Sequence, residues 1–520
     1  MKNQTYNIFL LITTLLVASC YKDKGNYDYT EYNAIQIKDI PDQINVLGNI
    51  DTLTLNPKIV SLHEGEIAAD NENYSFAYVR DLNVSTGKME FIPLDSTFSK
   101  NLNYFVNLTP KMYDISFVVT DKRTGVQTFK PFKLNVGSAV TEGWMVLCNE
   151  GAEQRVRLDM VSVISPTRSV QAFDLAEPLG LPKLNKGTRM SYLYRNPITA
   201  KITIITENQG AYDLLQQNLQ SGPTFNLLYE FGNKTENCKP QNLQRTASGY
   251  YLIVDGDNNA YNQLYSSVGP LFEFPVNTSL GDRKPEFKMS KYIVADAKAS
   301  GGSNAVLGYD ITNKRFVNWS SGRRTSVLPF TDPEQALFSY NTGKDIVYME
   351  STLFANSTAY SILEKNGKRS LHGIRFVVAS PVGRFEQSLY RDLDLPNIQQ
   401  AKFFAFHSTL PYMFYASGSK LYQYDYVANT NKLMKDFGKE NITMLKFNLF
   451  RFNITTKPQT MLNQQYDLIV GTADADLPEK SHGILRFFNV PPLNGDLTMI
   501  KEYKGFADIV DVAYKEVPTF

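Results

Sequence analysis

The chain has 520 residues, long for a single core, so two or more domains are expected. Hydrophobic residues at 43% and charged residues at 20% exclude a disordered chain, while 53 Lys and Arg against 52 Asp and Glu, with no basic block, speak against a nucleic-acid partner. The 31 Tyr and 32 Phe beside only 2 Trp suit half-buried strands, which makes an all-β chain the starting expectation.

The first element is an export signal over residues 1–19. Lys2 gives it a positive start, Ile8 to Val17 an apolar run, and Val17-Ala18-Ser19-Cys20 its end. The run is too short to span a bilayer. Small residues before a cysteine have the form of the bacterial lipobox, so Cys20 is expected to be lipidated and to hold the chain on a membrane. The plainer alternative is an ordinary secretory signal with an incidental cysteine. Residues 20–33 are polar and contain Gly25, and read as a tether.

Residues 34–137 carry short alternating strands, among them Asp51 to Leu55, Tyr74 to Val79, Tyr113 to Val119 and Thr128 to Val136. A turn at Asp121-Lys122-Arg123-Thr124-Gly125 joins the last two. Seven or so strands in about 100 residues predict an immunoglobulin-like β-sandwich acting as a spacer.

Residues 141–520 change rhythm into units of about 50 residues, each of four strands, which predicts a seven-bladed β-propeller. The clearest unit runs from Ala401 to Gly438. Strand pairs such as Ile202 to Thr206 with Ala211 to Leu215, and Tyr250 to Val254 with Ala260 to Tyr265, are read as second and third strands. So is Asp345 to Met349 with Ala359 to Leu363, while Leu228 to Gly232 is read as a fourth strand. The unit around Tyr292 to Trp319 is the least regular. Trp144 to Cys148 lacks a first strand, and Asp508 to Tyr514 at the far end of the chain is expected to supply it, removing the open edge.

Chemistry is sparse. Cys148 and Cys238 lie in no CxxC; they can pair in an oxidising compartment, but two buried thiols fit their apolar surroundings better. Four scattered histidines show no metal spacing, and no metal or cofactor is expected. Asp255-Gly256-Asp257-Asn258-Asn259 alternates like a calcium loop, but Ala260 and Ser266 stand where that loop needs Gly and Glu, so it reads as a hairpin turn. Blade signatures such as Ser-x-Asp-x-Gly-x-x-Trp are missing, as is a GxSxG elbow. Asp95, Glu207, Asp310, Glu350 and Asp474 fall near blade loops, with nothing to single out the facing pair that glycoside hydrolysis needs. No catalytic residue is assigned, and the chain is read as a non-enzyme. For ligand binding the candidates are Trp319, as an exposed aromatic face, and Arg323 and Arg324 in the loop after it; Trp144 is read as core.

The run SCYKDKGNYDY, followed by TEYNAI, together with Glu142-Gly143-Trp144-Met145-Val146-Leu147, resembles the PKD-like family of Bacteroidota lipoproteins. That resemblance implies a disulfide-free sandwich and a lipoprotein that works beside outer-membrane TonB-dependent transporters of the SusC/SusD kind. Lys22 and Asp23 look like the charged signal sending such lipoproteins to the cell exterior. On this reading the protein partners a transporter and its binding lipoprotein, and captures or presents an oligosaccharide or peptide. A propeller-type glycan hydrolase or lyase, and a protein-binding scaffold or adhesin, are the competing expectations.

Overall fold

The computed structural model describes residues 33–48, 50–80, 92–94, 98–165, 168–193, 201–247, 249–264, 271–280, 283–298, 302–378, 384–450 and 458–516. Cys20 and the tether lie outside them, as does Asp95. The chain divides into two compact units, Met1–Ser138 and Ala139–Phe520. No helix among the described residues is long and apolar enough to cross a membrane.

The first unit is a β-sandwich. Its spine is the hairpin of Lys111–Asp121 and Gln127–Gly137, with Tyr74–Arg80 antiparallel on one side and Gln43–Leu47 parallel on the other. Alternation sends Tyr113, Ile115, Phe117 and Val119 to one face, where they meet Phe132, Leu134 and Val136 from the partner strand. The opposing layer is built from Ile35–Lys38, Lys58–Ser61 and Gly65–Glu66, with the pair Thr52–Leu55 and Leu102–Phe105 beside it. Leu53, Ile59 and Leu102 from these strands complete the core. The Asp121 to Gly125 turn forms as read: Gly125 takes φ 74°, which favours glycine, and its N–H donates to the Asp121 carbonyl at 2.7 Å.

The described residues of the second unit form seven sheets, numbered here as blades 1 to 7. Blade 1 combines Gly143–Glu150, Arg155–Ser165 and Arg168–Ala172 with Asp508–Lys515 as its innermost strand. Blade 2 holds Gly187–Leu193, Lys201–Thr206 and Ala211–Leu215; blade 3 holds Asn242–Arg245, Tyr250–Val254 and Ala260–Leu264. Blades 4 to 7 each have four strands and open with Val294–Ala295, Asp345–Thr352, Phe403–Phe406 and Glu440–Lys446.

Strand periodicity explains why seven sheets become a ring. In Gly143–Glu150, Trp144, Val146 and Cys148 pack on blade 7, while Met145 and Leu147 pack on blade 2. Blade 3 repeats the arrangement, with Tyr251 and Ile253 toward blade 2 and Tyr250, Leu252 and Val254 toward blade 4. Similar cores join blades 4 and 5, 5 and 6, and 6 and 7, so every blade is covered on both faces. The ring closes where Asp508–Lys515 pairs antiparallel with Gly143–Glu150, as the missing first strand implied.

Three details differ from the sequence reading. Leu228 to Gly232 is no strand: Leu227–Glu230 is a 3-10 turn capped by the Asn226 side chain, and blade 2 keeps three strands. In blade 5, Asp345–Thr352 is the innermost strand and not the second, because Arg384–Leu393 supplies the outermost one. Blade 4, expected to be the least regular, has all four strands, although its innermost spans only Val294–Ala295.

Candidate functional site: the propeller channel

Seven innermost strands leave seven inner edges whose amides and carbonyls lack a neighbouring strand. They surround a central channel of about 1350 Å³, to which every blade contributes lining residues. Much of its polar lining serves those edges. Asp511 of blade 1 accepts from the Met190 N–H of blade 2 at 2.8 Å. Asn242 of blade 3 donates to the Lys291 carbonyl beside blade 4 at 2.7 Å. Glu350 of blade 5 accepts from the Phe406 N–H of blade 6 at 3.1 Å. Lys446 of blade 7 donates to the Val512 carbonyl of blade 1 at 2.7 Å and to the Asp511 carboxylate at 2.6 Å. Each side chain thus caps the next blade, satisfying groups that would otherwise be stranded.

Four inner strands also carry one residue more than the strand they pair with. The extra residues are Thr188, Val347, Thr443 and Val510. Such bulges increase local twist and re-aim the side chains beside them. Arg189, Tyr348, Met444 and Asp511 follow the bulges directly, and all four line the channel.

At this level lie Arg189, Tyr292, Tyr348 and Glu350. The Tyr348 hydroxyl donates to Glu350 at 3.1 Å, and its ring meets Tyr292 edge-on with centroids 5.8 Å apart. Enclosure by protein pushes the Glu350 carboxyl up to about 7, opposed by the Phe406 amide, the Tyr348 hydroxyl and the charges of Lys446 and Arg189. Burial likewise pushes the Tyr348 and Tyr292 hydroxyls up. The Arg189 side chain is half-buried and makes no hydrogen bond or ion pair with the described residues.

The sequence candidates lie elsewhere. Trp319 does not present a face to solvent: it is 1% exposed, packed between blades 3 and 4, with its ring 5.7 Å from that of Tyr250. This corrects the expectation of an exposed aromatic platform. A Trp on the third strand of a blade has a neighbouring blade over its face, and that burial wins. Its Nε1–H donates to the Arg324 carbonyl at 3.3 Å. Arg323 and Arg324 are exposed where the hairpin enters the outermost strand of blade 4, and the Arg324 guanidinium lies 5.3 Å from the Tyr250 ring centroid. Neither lines the channel. Cys20 lies outside the described residues.

The carboxylates near blade loops separate by task. Asp310 accepts from the Thr312 and Asn313 N–H groups and from Arg315; Asp474 accepts from the Asp476 N–H; Glu207 pairs with Lys186. Asp255 accepts from the Asp257 and Asn259 N–H groups, so the suspected calcium loop is a hairpin turn. Among the described members of that set, Glu207 and Glu350 line the channel. Cys148 and Cys238 are free, buried thiols in separate inter-blade cores. Sequence reasoning missed Arg189, Tyr292, Lys446 and Asp511. The available signal was a charged residue within the first strand of a unit, as in Thr188-Arg189-Met190 and Met444-Leu445-Lys446.

The fold and site define an all-β chain in which an immunoglobulin-like sandwich precedes a seven-bladed propeller with a polar central channel. Residues 20–175 match the PKD-like family, a stretch running from the cysteine through the sandwich to the outer strand of blade 1. No curated protein matches the chain. Among solved structures it is similar to a quinonprotein alcohol dehydrogenase-like protein from Bacteroides thetaiotaomicron, with TM-score 0.41, 10% identity, and coverage of 94% of this chain and 100% of that one. It is also similar to the Cps50 β-propeller domain from Myceliophteria thermophila, with TM-score 0.37, 8% identity, and coverage of 73% and 94%. The extracellular domain assigned to a one component system of B. thetaiotaomicron gives TM-score 0.37 and 9% identity over 88% and 73%.

Proposed function

We propose that the protein is a lipid-anchored accessory of a TonB-dependent, SusC/SusD-type uptake system, holding a ligand-capturing propeller outside the cell without catalysing a reaction. The carrying observation is the PKD-like match that begins at residue 20, the cysteine ending the apolar leader, and leads through the sandwich into the first blade. Acyl chains on Cys20 anchor the chain to the outer membrane, the tether and sandwich space it from the bilayer, and the propeller offers its channel to an oligosaccharide or peptide. The non-catalytic half draws support from the mid-channel carboxyl groups. Glycoside hydrolysis needs two of them free to flank a bond. Asp511 commits both oxygens to Lys446, Met190 and its own strand, and Glu350 gives one oxygen to the Phe406 amide and the Tyr348 hydroxyl.

The test is a pull-down with tagged protein from detergent-solubilised outer membranes, run with a glycan and peptide hydrolysis screen. Recovery of a transporter and its binding lipoprotein, with no product released, is the expected result. Hydrolysis of any one polymer replaces this role with the enzyme reading; recovery of unrelated surface proteins alone replaces it with a scaffold. Fractionation of a Cys20→Ser variant checks the anchor, and a variant that stays membrane-bound like the wild type refutes it.

A further inference from the structure

We propose that Arg189 anchors a binding site for a carboxylate-bearing ligand inside the propeller channel. The inference deepens the capture half of the proposed function and does not depend on the transporter partnership. It starts from a difference among charged groups at one level of the channel. Asp511, Lys446 and Glu350 are engaged in capping the inner edges of neighbouring blades. Among the described residues, no hydrogen bond or ion pair holds the Arg189 guanidinium. A bulge at Thr188 directly precedes it, and a stretch of wall distorted next to an uncommitted Arg is the kind of local irregularity that re-aims a side chain toward a ligand.

The surroundings select the ligand class. A guanidinium presents a planar fork that matches a carboxylate through two parallel hydrogen bonds. Glu350 lies within electrostatic range of Arg189, and the enclosure that pushes its carboxyl up to about 7 leaves the guanidinium only partly countered at neutral pH. The rings of Tyr292 and Tyr348 stand at the same level and supply an apolar surface with hydroxyl groups for the rest of the molecule. At about 1350 Å³ the channel has room for a ligand of saccharide or short-peptide size. The shared chemistry is a carboxylate on a polar body, from either a sugar acid or a peptide C-terminus.

Calorimetry on the full chain purified in detergent separates the two sources. One arm compares methyl glucuronide with methyl glucoside, and the other compares triglycine with its C-terminal amide. At least one carboxylate probe is expected to bind, and its uncharged counterpart is not. Arg189→Gln should weaken the binding probe about tenfold or more, and Arg189→Lys should recover part of the loss. Arg384→Gln, on the outer strand of blade 5, should change nothing. Because Arg189 holds no hydrogen bond with the described residues, the melting temperature of Arg189→Gln should match the wild type. If that variant misfolds, discrimination between charged and uncharged probes by the wild type decides. Absence of binding by both carboxylate probes at about 10 mM overturns the site. So does equal binding of the uncharged counterparts, or unchanged binding by a folded Arg189→Gln. A failed transporter pull-down leaves these results intact, and their failure leaves the partnership intact.

Discussion

Replacing Tyr514 with Ala tests the seam at which the ring closes. Tyr514 is 5% exposed on the innermost strand of blade 1. Its ring stands edge-on to Trp144 at 5.0 Å and to Phe450 at 5.4 Å, and its hydroxyl donates to Glu142 at 2.9 Å. Truncating a buried aromatic side chain to Ala costs about 3–5 kcal/mol in lost burial and cavity. Unfolding entropy near the melting point is about 2.1 cal/mol/K per residue, so a unit of this size loses roughly 5 °C for 4 kcal/mol. Tyr415→Ala, fully buried between blades 5 and 6, should lower the melting temperature by a similar amount. The two variants should differ in fluorescence. With Trp319 replaced by Phe, Trp144 is the remaining tryptophan, and its emission should shift to the red in native Tyr514→Ala but not in native Tyr415→Ala. A loss below about 1 °C with unshifted Trp144 emission would refute the role assigned to the closing strand.

Three further predictions concern buried charge and thiols. Arg157→Met should destabilise the propeller by about 3–5 kcal/mol in urea unfolding, because it strands the fully buried Asp159 carboxylate; an effect below about 1 kcal/mol would show that Asp159 finds another partner. The Glu350 carboxyl titrates higher in the folded chain, at about 7, than in an unfolded one, so it supports folding at low pH and that support is lost as pH rises from about 4.5 through 7. Glu350→Gln should therefore gain stability relative to the wild type at pH 8 compared with pH 5, by up to about 3 kcal/mol; a difference that does not vary with pH contradicts the enclosure argument. Cys148 and Cys238 should resist a thiol reagent in the native protein and both react on unfolding. Burial also pushes the Cys148 thiol well up, and fast labelling of native Cys148 would contradict its place in the core between blades 7 and 1.

The legible part of the fold was the part written in short apolar runs bounded by turns. Strands such as Tyr412–Ser417 and Leu468–Asp474 announce themselves because both faces are covered, and the orphaned Trp144 strand pointed to its partner near residue 508. Blade 2 misled because Leu228-Tyr229-Glu230-Phe231 has strand-like residues, yet Asn226 caps a turn there and Leu227 and Phe231 fill the core from it. The channel was hardly legible. A bulge shifts the side-chain pattern by one position, so Arg189 and Asp511 look in sequence like ordinary surface charges interrupting a strand. Trp319 misled in the opposite way: a tryptophan followed by two serines, a glycine and two arginines looks like a binding loop, and burial between blades is settled only by what the neighbouring blade brings.

The closing strand also sets an order of events. Tyr514 meets Glu142, a residue made 372 positions earlier, and this contact completes the first blade. Blades 2 to 7 can be built from contacts nearer in sequence, whereas the Gly143–Glu150 strand keeps one edge open until the last strand pairs with it. Contacts of such long sequence separation form slowly, because the chain's freedom is spent before the contact returns anything. Until that strand docks, the chain carries an unpaired, aggregation-prone strand edge. Closure of the ring thus depends on residues 508–515, the strand farthest in sequence from the blade that it completes.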